Sequence, residues 1–240
     1  MSELYKDKHV STDKRVQDLI GRMTLEEKIG QLGQVCMADY AKKKKQFLAG
    51  VKAGRWGSRI LADTEWAGNN AETAIDVQEL NEIQRVAVEE SRLGIPIIYA
   101  RDVIYGQSTV LPIPLAQAAS WNPELIEEGY TCIAREAASL GIHWAFSPMM
   151  DITRDPRWGR VIETSGEDTY LATRCSEAVI KGFQGTDPAL PDRMLACAKH
   201  FCGYGFSEGG RDYDTTEISE NTLHNVILPP FKAAVNAGVA

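Results

Sequence analysis

Polar residues that could do chemistry follow three short apolar runs of the sequence. Asp102 lies two residues after the first run, Asp151 five residues after the second, and Lys199 with His200 directly after the third. Parallel α/β folds place their chemistry at the carboxyl ends of strands, so these side chains are expected to share one edge of a sheet. The pattern predicts a polar site assembled from several strand ends.

The residue types favour a sugar as the ligand of this site. The loop after the second run adds Arg160 and Glu163 to the carboxylate, lysine and histidine groups. Each sugar hydroxyl both donates and accepts, so carboxylates can accept its proton while Lys, Arg and His donate to its oxygen. An indole such as Trp158 or Trp144 can stack on the apolar face of a pyranose.

The same residues also have structural interpretations. Asp102 or Asp151 could cap a helix or brace a loop. The arginines of the loop could form structural ion pairs with carboxylates near them in sequence, namely Arg154, Arg157 and Arg160 with Asp151, Asp155 and Glu163.

Charge and motifs exclude several other classes of function. The 240 residues carry a formal net charge of −7, whereas nucleic acid and anionic membranes reward a basic face. The run of four lysines at 42–45 is interpreted as a solvated helix face. Neither G-x-G-x-x-G nor G-x-x-x-x-G-K-[ST] occurs, which argues against a nucleotide site. We expect no nucleic acid and no membrane as partner.

Cysteine usage and hydropathy bear on the compartment. The five cysteines are scattered without C-x-x-C spacing, which fits neither a zinc site nor a disulfide framework. No stretch approaches the ~20 apolar residues of a membrane span, and residues 1–10 are too polar for a signal-peptide core. As written, the chain is expected to be cytoplasmic, and periplasmic or secreted if its N-terminus is incomplete.

Helix signals alternate with short apolar runs along the chain. Thr24 and Glu27 form a capping box that opens a short helix. Residues 70–93 have apolar spacing typical of a long helix, which Gly94 ends before the apolar run 95–100. This is one helix-then-strand unit.

The same unit recurs further along the chain. Asn122 and Pro123 open a helix that Gly141 ends, and the predicted strand 142–146 follows. A helix over 169–183 then precedes a strand over 195–198. A last helix, interrupted at Pro229-Pro230, ends at Gly238, where residues 239–240 begin another strand.

Strands that are continuous apolar runs, alternating with helices, indicate a parallel sheet covered on both faces. This pattern predicts an α/β fold, either an open doubly wound sheet or part of a closed (β/α)8 barrel.

Several segments of the sequence strongly resemble the N-terminal domain of glycoside hydrolase family 3, and they occur in the order of that family. They cover nearly the whole chain: Met23-Thr-Leu-Glu-Glu-Lys28 with Gly30-Gln31, Asp102-Val-Ile-Tyr-Gly106, Leu111-Pro-Ile-Pro-Leu115 with Ala119-Ser-Trp121, Asp155-Pro-Arg-Trp-Gly-Arg160 with Glu163 and Gly166-Glu-Asp168, Lys199-His-Phe201, and Gly210-Arg-Asp-Tyr213.

The resemblance implies a (β/α)8 TIM-like barrel, incomplete here and lacking its last strands and helices, so that residues 1–240 form a partial barrel domain. It implies a retaining exo-acting β-glycosidase, above all a β-glucosidase, that hydrolyses terminal non-reducing β-linked sugars. On matching positions Asp102, Arg160, Lys199 and His200 bind the terminal sugar, and Arg211 lies near the nucleophile.

The resemblance assigns no catalytic residue to this chain. A retaining glycosidase needs two carboxyls ~5–5.5 Å apart, and the family's nucleophile and acid/base are expected beyond Ala240. Expected partners are small β-glucosides or oligosaccharides and the missing C-terminal part of the same enzyme. No metal or organic cofactor is implied. The isolated 240-residue chain is expected to be inactive, and weakly stable or prone to aggregate because its sheet would have an open edge.

The resemblance also implies non-proline cis peptide bonds in the segment from Lys199 to Phe201.

Two other functions stay open at this stage. The chain could be a non-catalytic carbohydrate-binding remnant, or Lys199 could form a Schiff base in an aldolase-like lyase.

Overall fold

Helices alternate with short strands in a computed structural model, which describes residues 3–36, 40–61 and 75–240. The chain divides into two units, residues 1–99 and residues 100–240. Both units combine helices with parallel strand pairs, as the sequence pattern predicts.

The first unit contains helices and short strands in this order: α1 Thr12–Arg22, α2 Leu25–Gln31, β1 Gln34–Cys36, α3 Tyr40–Lys52, β2 Ser58–Ile60 and α4 Val77–Arg85. Strand β1 pairs in parallel with β2, with Gln34 opposite Ser58. The predicted capping box is confirmed, because the Thr24 hydroxyl accepts from the Glu27 amide and the Glu27 carboxylate accepts from the Thr24 amide.

The long helix predicted over 70–93 is shorter. Residues 70–74 lie outside the described residues, and α4 begins only at Val77, where the Asp76 carboxylate accepts from the amides of Gln78 and Glu79. This N-cap stops the helix from extending back through Asp76. After Arg85 the chain continues as a π-helical turn, Val86–Glu90.

The second unit begins inside β3 and carries most of the helices: β3 Ile98–Arg101, α5 Pro114–Ala118, α6 Pro123–Ser139, β4 Trp144–Ala145, α7 Thr169–Gln184, α8 Glu220–Thr222 and α9 Leu228–Asn236. Strand β3 pairs in parallel with β4, with Ala100 opposite Trp144. The predicted cap of α6 is confirmed, since the Asn122 side chain accepts from the Leu125 amide.

The segment 195–198, predicted as a strand, forms parallel backbone hydrogen bonds with residues 143–147 on one side, and on its other side it bonds to a side chain. The amides of Leu195 and Cys197 donate to the carbonyls of His143 and Ser147, each at 2.8 Å. The amide of Ala196 donates instead to the side chain of Gln184, at 3.1 Å. The segment therefore lies beside β4 as isolated bridges rather than as a continuous ladder.

The buried Gln184 side chain takes the place of a backbone peptide between two segments. Its carbonyl oxygen accepts from the amides of Ala196 and Ala240, each at 3.1 Å, and its amide group donates to the Gly238 carbonyl at 2.7 Å. One side chain thus holds residues 195–198 near residues 238–240.

Helices α6 and α7 form much of the core of the second unit. Tyr130 on α6 meets Phe183 on α7 edge to face, with ring centroids 5.1 Å apart. The helices approach closely at Gly182, where a β-carbon would lie 2.6 Å from the Tyr130 β-carbon and 2.7 Å from the Glu127 carbonyl oxygen.

The interruption predicted in the last helix lies one turn earlier than Pro229-Pro230. A π-helical turn, Leu223–Ile227, separates α8 from α9. The two prolines lie in the first turn of α9, directly after this π-helical turn, and neither has an N–H group to donate back to it.

Candidate functional site

Asp102 and Lys199 meet at the carboxyl end of the sheet of the second unit. Asp102 follows β3, and Lys199 follows the segment 195–198 that runs beside β4. The Lys199 ammonium lies 3.0 Å from the Asp102 carboxylate, and the two side chains are only 15% and 27% exposed. Each charge compensates the other, which lets both stay at a partly buried position.

His200 is held by a carboxylate that has no access to solvent. The Nδ1 atom of His200 lies 2.9 Å from Asp151 Oδ2, and the His200 backbone amide donates to the same oxygen at 3.2 Å. The Asp151 side chain is 0% exposed, whereas the His200 ring is 33% exposed. The accessible part of this pair is therefore the imidazole.

Cis peptide bonds occur in this segment, as the sequence resemblance implies. Lys199–His200 is cis, which confirms that expectation, and the second cis bond is Phe201–Cys202. A further cis bond, Ser147–Pro148, lies in the neighbouring segment.

Arg160 forms a two-pronged ion pair with Glu163. Its Nε and Nη2 atoms donate to the two carboxylate oxygens, each at 2.8 Å. This pairing raises the pKa of the Arg160 guanidinium further above its ordinary value. The guanidinium also lies 5.7 Å from the ring centroid of Tyr204. The structural interpretation of the Arg160–Glu163 pair is confirmed, and it is compatible with a ligand-binding role.

A second ion pair lies in the same loop. Arg157 donates to Asp155 through two nitrogens, at 2.9 and 2.6 Å, and lowers the pKa of that carboxyl to about 2. The Arg157 side chain is 71% exposed. This pair is a surface feature of the loop.

Tyr204 joins His200, Arg160 and two further aromatic residues. Its ring meets those of His200 and Trp158 edge to face, at centroid distances of 4.9 and 5.0 Å. Tyr213 stacks on Tyr204 at 5.4 Å and is itself 84% exposed. Sequence reasoning did not single out Tyr204, and its only signal was its place four residues after His200.

Trp158 cannot be the stacking platform that the sequence suggested. The side chain is 2% exposed, and its indole N–H donates to Asp212 at 2.9 Å. Burial against Tyr204 leaves neither face of the indole open to a sugar, so this expectation is wrong.

Two groups in this cluster, Tyr204 and Asp212, have shifted pKa values. Burial, followed by the nearby Asp212 carboxylate, raises the pKa of the Tyr204 hydroxyl. The nearby Tyr204 hydroxyl, followed by the Trp158 indole N–H, lowers the pKa of the Asp212 carboxyl. Asp212 is therefore ionised beside a neutral tyrosine.

Arg211 stands apart from these contacts. Its guanidinium pairs with Asp214 at 3.1 Å and the side chain is 75% exposed. The structure thus brings together Asp102 with Lys199, and Arg160 with His200 through Tyr204, but shows no contact of Arg211 with any of them.

The described part of the chain contains neither clustered metal ligands nor a membrane-spanning helix. Within it, no group of three or more His, Cys, Asp or Glu side chains is placed to hold a metal ion. None of its helices combines the length and apolarity needed to cross a bilayer.

Comparison with known proteins places this geometry in context. The family model described as "Glycosyl hydrolase family 3 N terminal domain" matches residues 24–240. A periplasmic beta-glucosidase of Salmonella typhimurium is 37% identical over 226 residues, which is 94% of this chain and 28% of that protein. A putative beta-xylosidase of Formosa agariphila is 34% identical, over 98% of this chain and 32% of that protein.

Solved structures give the same result. The crystal structure of a beta-glucosidase from Listeria innocua matches 96% of this chain with a TM-score of 0.82 and 35% identity, covering 32% of that protein. Other structures of the Listeria innocua enzyme hold glucose or, in a D270A mutant, laminaribiose. This likeness confirms the predicted fold class, part of a (β/α)8 barrel. The chain spans about a third of the length of these relatives.

Proposed function

Because the chain belongs to glycosyl hydrolase family 3, we propose that it forms the sugar-binding part of a retaining, exo-acting β-glycosidase. In this proposal residues 1–240 are a partial N-terminal barrel domain, and the ligand is the terminal non-reducing sugar of a β-glucoside or oligosaccharide. The observation that carries the proposal is the Asp102–Lys199 pair, which offers an acceptor and a donor 3.0 Å apart at the carboxyl end of the sheet.

The chemistry of a sugar hydroxyl fits that pair. A hydroxyl placed between the two groups can donate to the Asp102 carboxylate and accept from the Lys199 ammonium. His200 and Arg160, which both lie close to the Tyr204 ring, supply further nitrogen atoms. Charge-assisted hydrogen bonds of this kind are stronger than neutral ones, so a few of them can fix a neutral ligand.

These contacts would also affect rate. In glycoside hydrolysis the ring flattens toward an oxocarbenium-like state, and hydrogen bonds to its hydroxyls strengthen as this happens. Contacts that are stronger in the transition state than in the ground state accelerate the reaction. Asp102 and Lys199 are therefore proposed as binding residues with a catalytic consequence.

No carboxylate of this group is proposed as nucleophile or acid/base. Asp102 is paired with Lys199, Glu163 is held by both prongs of Arg160, and Asp151 is fully buried against His200. A retaining enzyme needs two available carboxyls ~5–5.5 Å apart. We propose that the two carboxyls that cleave the bond lie outside residues 1–240.

Glucose is proposed as the preferred sugar, with xylose as the alternative. A beta-glucosidase and a putative beta-xylosidase both match the chain at more than 30% identity. Comparison of glucose and xylose affinity by titration calorimetry would separate them, and tighter binding of xylose would overturn the choice of glucose.

The proposal is tested by sugar binding and by turnover, measured separately. The purified chain should bind glucose, and Asp102→Asn should weaken that affinity about tenfold or more, because a hydrogen bond to a charged group contributes about 1.5–3 kcal/mol. Asp155→Asn is the matched control, since Asp155 pairs with the exposed Arg157.

An aryl β-glucoside should not be hydrolysed by the same preparation. Equal affinity of wild type and Asp102→Asn would remove the proposed binding site, and turnover by the chain would contradict the assignment of the reacting carboxyls.

A further inference from the structure

We propose that Asp151 is a positioning residue, which fixes the tautomer and orientation of His200 so that Nε2 is the nitrogen offered to the sugar. The inference rests on the proposed function, because it gives the His200 ring its ligand. It concerns a residue that sequence reasoning left open between a chemical role and a loop brace.

Burial separates Asp151 from the other carboxylates of the site. Asp102 and Glu163 keep 27% and 21% of their side chains exposed, whereas Asp151 has none exposed. A ligand cannot reach a carboxylate with no exposed surface. Asp151 must therefore act through the group it contacts, and that group is His200.

Two hydrogen bonds fix His200 from one oxygen. Asp151 Oδ2 accepts from the His200 backbone amide at 3.2 Å and lies 2.9 Å from ring atom Nδ1. The backbone contact sets the position of the residue, and the ring contact sets the rotation of the imidazole. Tyr204 limits the ring plane further, because its own ring crosses it at an interplanar angle of 78°.

The Nδ1 contact decides which ring nitrogen carries the proton. A carboxylate only accepts, so the neutral imidazole must hold its proton on Nδ1 and leave Nε2 as an acceptor. Nε2 can then accept a hydrogen bond from a sugar hydroxyl. In the opposite tautomer, unprotonated Nδ1 and Asp151 Oδ2 would be two acceptors facing each other at 2.9 Å, and this repulsion excludes it.

The charge of Asp151 argues against a purely structural role. Its second oxygen, Oδ1, is buried and has no hydrogen-bond partner among the described residues. A buried unsatisfied polar atom is costly, so a simple brace would be served at lower cost by an uncharged side chain. A carboxylate accepts hydrogen bonds and never donates them, so it has an advantage over an uncharged side chain if His200 must keep its proton on Nδ1.

The experiment reads the tautomer directly. The chain has four histidines, so long-range ¹H–¹⁵N spectra at pH 8 resolve few signals, and a His200→Gln variant assigns those of His200. Both contacts of His200 use Asp151 Oδ2, and an Asn oxygen at that place would keep them. Asp151→Ala removes the acceptor, so no group is left to hold the proton on Nδ1.

Wild type should show the proton on Nδ1 of His200, and Asp151→Ala should show a substantial share of it on Nε2, with glucose affinity about tenfold lower. Asp155→Asn is the matched control, since Asp155 pairs with Arg157 and should change neither quantity. Circular dichroism and thermal melting confirm that both variants are folded.

A His200 ring still protonated on Nδ1 alone in Asp151→Ala, or a doubly protonated ring in wild type at pH 8, would overturn the inference. So would a changed tautomer with unchanged glucose affinity. If the wild-type chain binds no glucose, the proposed function fails, while the spectra still decide whether Asp151 sets the tautomer.

Discussion

Arg160 is both a member of an ion pair and a proposed sugar-binding residue. Two of its nitrogens bind Glu163, and the guanidinium lies 5.7 Å from the ring centroid of Tyr204, which also meets His200. A paired guanidinium has fewer orientations to lose when a ligand binds. The Arg160–Glu163 ion pair therefore lowers the entropic cost of binding a ligand at Arg160.

Arg160→Lys should weaken glucose binding about tenfold, or about 1.4 kcal/mol, because a lysine cannot make the two-pronged contact with Glu163 and is left poorly oriented. Titration calorimetry measures the change. Arg157→Lys, in the exposed pair with Asp155, should bind glucose like wild type. Equal losses in both variants would mean that the effect comes from the loop as a whole.

The sequence and its family resemblance named most of the residues proposed for the site, but the contacts among these residues could not be predicted. Asp102 and Lys199 are 97 positions apart, and their pairing depends on how the strands align. The Asp151–His200 contact spans 49 positions and was equally invisible. Trp158 was wrongly predicted as a platform because residue type does not reveal burial.

At the scale of elements, the helix starts at Thr24 and Asn122, which have capping side chains, were predicted well, and strands were predicted poorly. Caps such as Asn122 before α6 act over three or four residues, so the local sequence contains the whole interaction. Strand length depends on partners far along the chain. Residues 195–198 have the right composition for a strand, yet the Ala196 amide bonds to a glutamine side chain instead of a neighbouring strand.

Gly182→Ala should destabilise the chain by about 1–3 kcal/mol, since the added methyl would force α6 and α7 apart at Tyr130. Chemical denaturation measures the loss. Gly21→Ala is the control, because Gly21 lies on α1 and a β-carbon added there would have nothing within 4 Å. That variant should be as stable as wild type or slightly more so. Equal stability of both variants would contradict the close helix contact.

The whole molecule has several carboxylates whose pKa values are depressed by cationic or hydrogen-bonding partners. The Arg92 guanidinium lowers that of Glu27, Arg22 lowers that of Asp18, and Arg157 lowers that of Asp155 to about 2. In the unfolded chain these groups return to their ordinary values of 4.5 for Glu and 3.8 for Asp.

Stability should therefore be level above about pH 5 and fall as the pH drops from there toward 2. In that window the unfolded state binds more protons than the folded state, so each of these groups stops stabilising the fold as it is protonated. Thermal melting at a series of pH values measures this. Glu27→Gln should flatten the decline, and an identical profile would show that the Glu27–Arg92 pair contributes nothing to it.

The Asp102–Lys199 and Arg160–Glu163 pairs also affect how a ligand arrives. Because each cation already faces an anion, their long-range fields largely cancel, and little electrostatic steering is available to draw a molecule in from solution. A neutral sugar loses nothing by this, whereas a charged one gains no attraction. The association rate of glucose, followed by stopped-flow tryptophan fluorescence, should therefore be nearly independent of ionic strength.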